Sequence, residues 1–202
     1  MSSPRYANRS LDLVRDDGYT AGIMSGKIKK VIDQIRQKGT IAPSSRFLVD
    51  KMISKIDYGR DLDLLQLGFG TGVFTKGLLK KISPQSTLVV FEIDQNCRKY
   101  RIVDPRVEYL EDSAERISEH FPTRKFDHVI STLPFASLPK KVSQNVFAEI
   151  KKHLKPGGKF LQFQYSLYSK RAIRDLFGHE PKIDFELLNL PPAFIYEAEN
   201  RK

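Results

Sequence analysis

The 202-residue chain predicts an α/β domain built on a mostly parallel, seven-stranded sheet. Short apolar runs alternate with segments of helical spacing, which is the pattern of repeated β-α-β units. The last two predicted strands, 183–189 and 193–199, follow each other directly, so we expect one antiparallel strand. A glycine-rich turn of Gly68, Gly70 and Gly72 lies between the first strand and the helix that follows it.

The first predicted element is a basic amphipathic helix over residues 23–38. Ile28, Val31, Ile32 and Ile35 have the i, i+3, i+4, i+7 spacing that forms one apolar stripe. Lysine and arginine side chains surround this stripe, as in helices that lie on a membrane surface. Packing of the stripe on the domain core is the equal alternative.

The remaining elements are placed by apolar spacing and by turn residues. A second helix is expected to begin after an N-cap at Ser44 or Ser45. The predicted bounds are helix 47–56, strand 62–67, helix 71–82, strand 87–92, helix 95–102, strand 106–111, helix 113–120, strand 126–131, helix 140–154, strand 159–165 and helix 168–177.

Composition limits the classes of function. No apolar run approaches the roughly 20 residues of a membrane-spanning helix, and the N-terminus lacks the apolar core of a signal peptide. The single cysteine, Cys97, fits a reducing cytoplasm, and the histidines lack metal-ligand spacing, so no metal is expected. The net charge of +10 favours a polyanionic partner, either nucleic acid or an anionic membrane.

The glycine turn and Glu92 predict a site for an adenosine-type cofactor. Glu92 ends the next apolar run, at the distance from Gly68 where a ribose-binding carboxylate lies in nucleotide-binding units. The spacing is G-x-G-x-G, because Val73 replaces the last glycine of the dinucleotide pattern G-x-G-x-x-G. It resembles motif I of class I (Rossmann-like) S-adenosylmethionine (SAM) methyltransferases, E-x-G-x-G-x-G, with Gln66 at the acidic position.

SAM is therefore the expected cofactor, held by loops at the carboxyl ends of the strands. We expect Glu92 to accept hydrogen bonds from both ribose hydroxyls and Asp112 to accept one from the adenine amino group. A helix N-cap is the alternative role of Asp112. The residues predicted to bind the cofactor are Gln66, Gly68, Gly70, Thr71, Gly72, Glu92, Ile93, Asp112, Ser113, Ala114, Ser131 and Leu133.

The loop STLPF, residues 131–135, occupies the position of the D/N-P-P-Y motif of amino-group methyltransferases. In that motif an acid or amide side chain and an adjacent carbonyl accept hydrogen bonds from the target nitrogen. Thr132 replaces that side chain, so we expect nearby carbonyls to orient the amine. Phe135 is predicted to face a methylated cation, with an ordinary core position as the equal alternative. Tyr19 is predicted to close over the cofactor as a lid, with an ordinary surface tyrosine as the alternative, and Tyr165 to join the aromatic pocket.

Longer segments resemble the small bacterial SAM-dependent phospholipid N-methyltransferases, which are related to the rRNA adenine dimethylase-like enzymes. The resemblance implies methyl transfer to the amine of phosphatidylethanolamine, stepwise toward phosphatidylcholine, or to a related amino lipid such as ornithine lipid. Thr132 stands where that family usually has the glycine of S-G-L-P. The segments are GTIAPSSRFL (39–48), LLQLGFGTGVFTKGLL (64–79), STLPF, LKPGGKFLQFQYSL (154–167) and NLPPAFIYE (189–197).

The resemblance also implies a domain plan and a location. We expect an N-terminal extension over 1–46, whose basic helix serves as a membrane anchor or substrate lid, and a methyltransferase domain over 47–202. The expected partners are an amino phospholipid and an anionic membrane surface rather than nucleic acid. The expected location is the cytoplasm, with the protein held peripherally on the inner face of the membrane as a monomer.

Two other functions stay open at the level of sequence. An rRNA adenine-N6 dimethyltransferase has a similar core and also fits the basic charge, but usually carries an Asn or Asp where this chain has Thr132. A non-catalytic, membrane-associated SAM-binding protein would explain why both Gln66 and Thr132 depart from the motifs.

Overall fold

A computed structural model of the protein describes residues 44–201. Its centre is a twisted sheet whose strands are β1 Asp63–Leu67, β2 Thr87–Phe91, β3 Val107–Leu110, β4 Phe126–Ser131, β5 Leu154–Gln164, β6 Lys182–Glu186 and β7 Ala193–Glu199. The seven strands lie in the order β3-β2-β1-β4-β5-β7-β6.

The pairing of the strands confirms the predicted fold class. Neighbouring strands from β3 to β5 pair in parallel, whereas β7 runs antiparallel to both β5 and β6. This is the class I (Rossmann-like) plan, a mostly parallel sheet with one reversed strand. The predicted helix 23–38 and Tyr19 lie outside the described residues, so the expected N-terminal extension and its boundary at residue 46 stay predictions.

The helices cover both faces of the sheet. They are α1 Arg46–Ile53, α2 Val73–Leu79, α3 Ile117–His120, α4 Lys140–His153 and α5 Lys170–Phe177. Ser45 caps α1, as predicted, by accepting a hydrogen bond from the Leu48 N–H. Within residues 44–201, none of the helices has the length and apolar character needed to cross a bilayer.

Two predicted α-helices are shorter and tighter than expected. The segment after β2 is a 3₁₀ helix, Gln95–Tyr100, and the segment after β3 begins as the 3₁₀ turn Ala114–Arg116 before α3. Each begins at a short polar side chain, Asp94 or Ser113, that accepts a hydrogen bond from the N–H two residues later. Such local bonds stabilise a tight turn in competition with an α-helical start.

The core forms two layers because successive strand side chains point to opposite faces of the sheet. Leu65 and Leu67 of β1 face α4 and α5, whereas Leu64 faces α1 and α2. All six residues of β4 are buried, as expected for a central parallel strand that is covered on both faces. The sheet is thus a rigid platform for the loops at its carboxyl edge.

Strand β5 begins five residues before the predicted start, at an irregular pairing with β4. The register shifts between Phe126 and His128, where β5 passes through Pro156, Gly157 and Gly158. A Cβ atom on Gly158 would lie 2.5 Å from the Asp127 carbonyl oxygen. No side chain therefore fits at Gly158 unless the backbone moves.

We predict that Gly158→Ala lowers the free energy of unfolding by about 2–3 kcal/mol, because the clash is with backbone and not with a flexible side chain. Gly178→Ala is the matched control, since Gly178 has a φ of 75° but open space around its Cβ position. The backbone strain of an alanine at position 178 should by itself lower the free energy of unfolding by about 1–2 kcal/mol. Urea unfolding followed by circular dichroism measures both; a Gly158→Ala variant no less stable than Gly178→Ala would contradict the packing argument.

Candidate cofactor and substrate site

Two adjoining cavities lie at the carboxyl edge of the sheet. The larger, here called the main cavity, has a volume of about 310 Å³ and is lined by the glycine loop, the start of the β2–β3 connection and the loop after β4. The smaller, here called the recess, has a volume of about 30 Å³ and lies toward β3 and α4. Gly68, Glu92 and Leu133 line both, so they mark the junction of the two cavities.

The glycine loop presents bare backbone to the main cavity. Gly68, Gly70 and Gly72 all have positive φ angles, of 85°, 56° and 76°. A Cβ atom on Gly68 would lie 2.5 Å from Thr132 Oγ1, and one on Gly72 would lie 2.8 Å from Phe69 Cζ. Gly70 has no atom within 4 Å of its Cβ position. A ligand can therefore approach the backbone at Gly70, which is what close contact with a cofactor requires.

The Glu92 carboxylate holds this loop against the end of β2. Its Oε2 accepts hydrogen bonds from the Phe69 and Gly70 N–H groups, each at 3.0 Å. Its Oε1 accepts one from the Asp94 N–H at 2.9 Å. Glu92 thus lies where the main cavity meets the recess, a position that suits a ribose between adenine and methionine groups. Contact of Glu92 with the ribose stays a prediction.

Gln66 lies behind the glycine loop and does not line either cavity. Its side chain is fully buried, donates from Nε2 to the Gly68 carbonyl at 2.8 Å, and accepts from Thr75 Oγ1 at 2.8 Å. The expected contact with the cofactor is therefore replaced by support of the loop. Gly72 and Ser131 are also absent from the cavity walls, because Gly72 faces Phe69 and Ser131 is fully buried at the end of β4.

The recess brings together the residues predicted to contact adenine. Asp112 accepts hydrogen bonds from the Ser113 N–H at 2.7 Å and from His120 Nε2 at 2.8 Å, and pairs with Arg116 at 3.2 Å. Ser113, and not Asp112, caps the 3₁₀ turn, so the N-cap alternative for Asp112 is wrong. The recess is lined by Gly68, Phe91, Glu92, Ile93, Asp112, Ser113, Ala114, Leu133, Leu138, Val142 and Val146.

The loop after β4 is fixed by hydrogen bonds on both sides. Thr132 lines the main cavity, and its Oγ1 donates to the Gly68 carbonyl at 3.1 Å. The Leu133 carbonyl accepts from the Phe135 N–H at 2.9 Å, from Gln162 Nε2 at 3.0 Å and from Gln164 Nε2 at 2.9 Å. A carbonyl with three donors has no lone pair left for a substrate amine.

Phe135 lines neither cavity and occupies the core position that was the equal alternative to facing a methylated cation. It is 2% exposed and stacks on Phe147 of α4, with ring centroids 4.3 Å apart. The tight turn from Leu133 to Phe135 directs the ring into the core. The aromatic side chain of β5 that lines the main cavity is Phe163, with Tyr165 edge-on to it at 5.8 Å.

Tyr165 remains a neutral phenol rather than a base. Burial raises the pKa of its hydroxyl above the ordinary value. The part of the main cavity near Phe163 therefore has an apolar, aromatic wall, and Tyr165 adds no charged group beside it.

The sequence interpretation missed most of the wall that follows β2. The 3₁₀ helix and its cap contribute Asp94, Asn96, Cys97, Lys99 and Tyr100 to the main cavity. Their position directly after Glu92, at the carboxyl edge, was the available signal. Gln162 and Gln164 were also missed, although two glutamines spaced by two residues in an apolar strand predict buried amides on one face.

We predict that Glu92→Ala weakens binding of SAM about 10- to 100-fold, because charge-assisted hydrogen bonds are each worth about 1.5–3 kcal/mol. Isothermal titration calorimetry with SAM measures the effect. Glu108→Ala is the matched control, because Glu108 is an exposed glutamate on β3 and should leave affinity unchanged. Equal affinity of the Glu92→Ala variant and the parent would remove Glu92 from the site.

We predict that Gln66→Glu lowers the free energy of unfolding by about 2–3 kcal/mol, because a buried carboxylate cannot donate to the Gly68 carbonyl. The same exchange at the exposed Gln144 of α4 should change stability by less than about 0.5 kcal/mol. Thermal unfolding and SAM titration of both variants provide the readouts. Tighter SAM binding with unchanged stability would show instead that an acid at position 66 contacts the cofactor.

Comparisons with known proteins agree with this geometry. A family model described as a methyltransferase domain matches residues 64–158. The chain is 28% identical to the ornithine lipid N-methyltransferase of Singulisphaera acidiphila over 168 residues. This alignment covers 78% of this chain and 85% of that enzyme.

Solved structures show the same fold at low sequence identity. The Burkholderia thailandensis 1,6-didemethyltoxoflavin-N1-methyltransferase, with bound 1,6-didemethyltoxoflavin and S-adenosylhomocysteine, is 13% identical with a TM-score of 0.64 over the whole of both chains. A Streptococcus thermophilus rRNA methylase is 14% identical with a TM-score of 0.55 over 75% of this chain and 93% of that chain. Together these findings support a SAM-dependent methyltransferase, with S-adenosylmethionine as its cofactor.

Proposed function

We propose that this methyltransferase acts on the amine of a membrane amino lipid, either ornithine lipid or phosphatidylethanolamine on the way to phosphatidylcholine. The observation that carries the proposal is the similarity to an ornithine lipid N-methyltransferase along most of both chains. The main cavity supports it, because apolar side chains, among them Leu133, Pro134 and Phe163, line it beside the glycine loop.

The residues of the two cavities would hold the cofactor in one orientation. Gly68 and Gly70 offer backbone, Glu92 offers a carboxylate at the junction, and the recess offers an apolar slot beside Asp112. SAM supplies an electrophilic methyl group on a sulfonium. With SAM bound, transfer would be an in-line displacement in which an N–C bond forms as the C–S bond breaks, so the residues that position the amine would supply much of the rate.

The attacking amine must be neutral, and the apolar wall favours that state. A primary ammonium resembles that of lysine, whose unperturbed pKa is about 10.4. Desolvation beside Phe163 and Leu133 would lower this pKa, and the positive sulfonium would lower it further. The amine proton can then pass to solvent before transfer, and the neutral Tyr165 is not required as a base.

Thr132 would act on the substrate side through its backbone. Its hydroxyl is directed to Gly68, and the next carbonyl, that of Leu133, is already saturated by three donors. The carbonyl of Thr132 is therefore our candidate acceptor for the amine N–H. Tyr19 stays a predicted lid residue, and peripheral binding to an anionic membrane through the basic helix 23–38 belongs to the same proposal.

The test is methyl transfer from labelled SAM to vesicles that contain ornithine lipid or phosphatidylethanolamine, with and without an anionic lipid, beside ribosomal RNA. We expect label in the lipid amine, more of it with anionic lipid, and none in RNA. Glu92→Ala and Glu108→Ala serve as the defective and matched variants. Label in RNA alone would favour an adenine dimethyltransferase, and SAM binding without transfer to any of these acceptors would favour a non-catalytic binding protein.

A further inference from the structure

Several large apolar side chains are exposed where the sheet ends at its carboxyl edge. They come from the start of α1, from the connection that follows β5 and from the turn between β6 and β7. We call this set the apolar rim, and its members are Phe47, Leu167, Tyr168, Leu187, Leu188 and Leu190.

In the turn between β6 and β7, a polar side chain is buried and the apolar side chains are exposed to solvent. Asn189 is 2% exposed, whereas Leu187, Leu188 and Leu190 are 70%, 64% and 82% exposed. The Asn189 side chain accepts from the Ser45 N–H at 2.8 Å and donates to the Pro191 carbonyl at 2.7 Å. These bonds hold the leucines outward in an ordered turn. Three exposed leucines within one four-residue turn are clustered rather than scattered, and clustered exposed apolar groups mark interaction surfaces.

The apolar rim adjoins the entrance of the main cavity. Ser45, which binds Asn189, follows Ser44, and Ser44 lines that cavity. Because β7 is antiparallel to β5, the turn before β7 lies at the same edge as the end of β5, which carries Phe163 and is followed by Tyr165. A membrane that contacts the apolar rim would thus bring lipid headgroups close to the main cavity.

Basic groups accompany the apolar rim. The Arg46 guanidinium lies 5.0 Å from the centre of the Phe47 ring. Exposed Lys170 and Arg171 follow Tyr168 after the buried Ser169, and they pair with Glu180 at 3.3 Å and with Asp175 at 3.7 Å. Apolar side chains bordered by cations match the interface of a bilayer that contains anionic lipid, where basic residues near the surface add to the binding of the inserted groups.

We infer that the folded domain itself binds an anionic phospholipid bilayer, by inserting the apolar rim between headgroups beside the main cavity. This rests on the proposed function, since a lipid amine must reach the cavity from the membrane. It differs from anchoring by the helix 23–38, because the inserted groups belong to the methyltransferase domain.

The test uses the absence of tryptophan from the chain. Leu188→Trp places a single indole in the apolar rim, and Val103→Trp places one at a fully exposed valine before β3, near the amino ends of the strands. When phosphatidylglycerol-containing vesicles are added, we expect the tryptophan fluorescence of Leu188→Trp to shift to the blue and to be quenched by brominated lipid. The fluorescence of Val103→Trp should not change. Emission that is already blue-shifted and unchanged by vesicles would overturn the inference, because residues 1–43 or a second copy would then cover the apolar rim.

A second set of variants separates membrane binding from chemistry. Leu187→Ser, Leu188→Ser and Leu190→Ser together should lower vesicle binding at least about tenfold, since each leucine side chain contributes to apolar burial. Val103→Ser is the matched control and should bind normally. Methyl transfer to amino lipid dispersed in detergent micelles should be unchanged in the triple variant, and circular dichroism should confirm its fold.

The outcomes distinguish this inference from the proposed function. Normal vesicle binding by the triple serine variant would overturn the inference while leaving lipid methylation intact. Vesicle binding that depends on the leucines, without methyl transfer to any amino lipid, would overturn the proposed function and keep the binding surface.

Discussion

Gly68 is the residue on which the whole site depends, because three strand ends are tied to it. Its N–H donates to the Phe91 carbonyl at the end of β2, and its carbonyl accepts from Gln66 of β1 and from Thr132 after β4. Its φ of 85° and the Thr132 hydroxyl at its Cβ position both require glycine. The spacing of the loops that line the main cavity is therefore set by one backbone unit.

The two departures from the motifs that the sequence resembles have a common explanation at this residue. Gln66 stands where motif I usually has Glu, and Thr132 stands where S-G-L-P usually has Gly. Both side chains donate to the Gly68 carbonyl. A glutamate could not donate, and a glycine would have no side chain to do so. The two side chains thus form one hydrogen-bonded arrangement that stabilises the loop.

Much of the architecture follows from the sequence, because alternation, glycine spacing and the position of Glu92 depend on local patterns. The sheet, its reversed strand, the glycine loop and the loops after β3 and β4 could be predicted in this way. Side-chain direction could not: whether Phe135 faces a cavity or stacks on Phe147 depends on how α4 packs. Two of the three hydrogen bonds that the Leu133 carbonyl accepts come from Gln162 and Gln164, 29 and 31 residues further along the chain. Such contacts are set by tertiary packing and leave only a weak pattern in the sequence.

The saturated carbonyl of Leu133 has a consequence for how successive substrates are received. A loop held by three donors on one carbonyl has lost its conformational freedom when the chain folds, so its ordering entropy does not weaken the binding of each acceptor. Under the proposed function, the loop after β4 would keep one shape as an amine gains methyl groups and becomes bulkier. The fixed volume of the main cavity would then limit how many methyl groups are added, and larger side chains on that loop would shorten the product series.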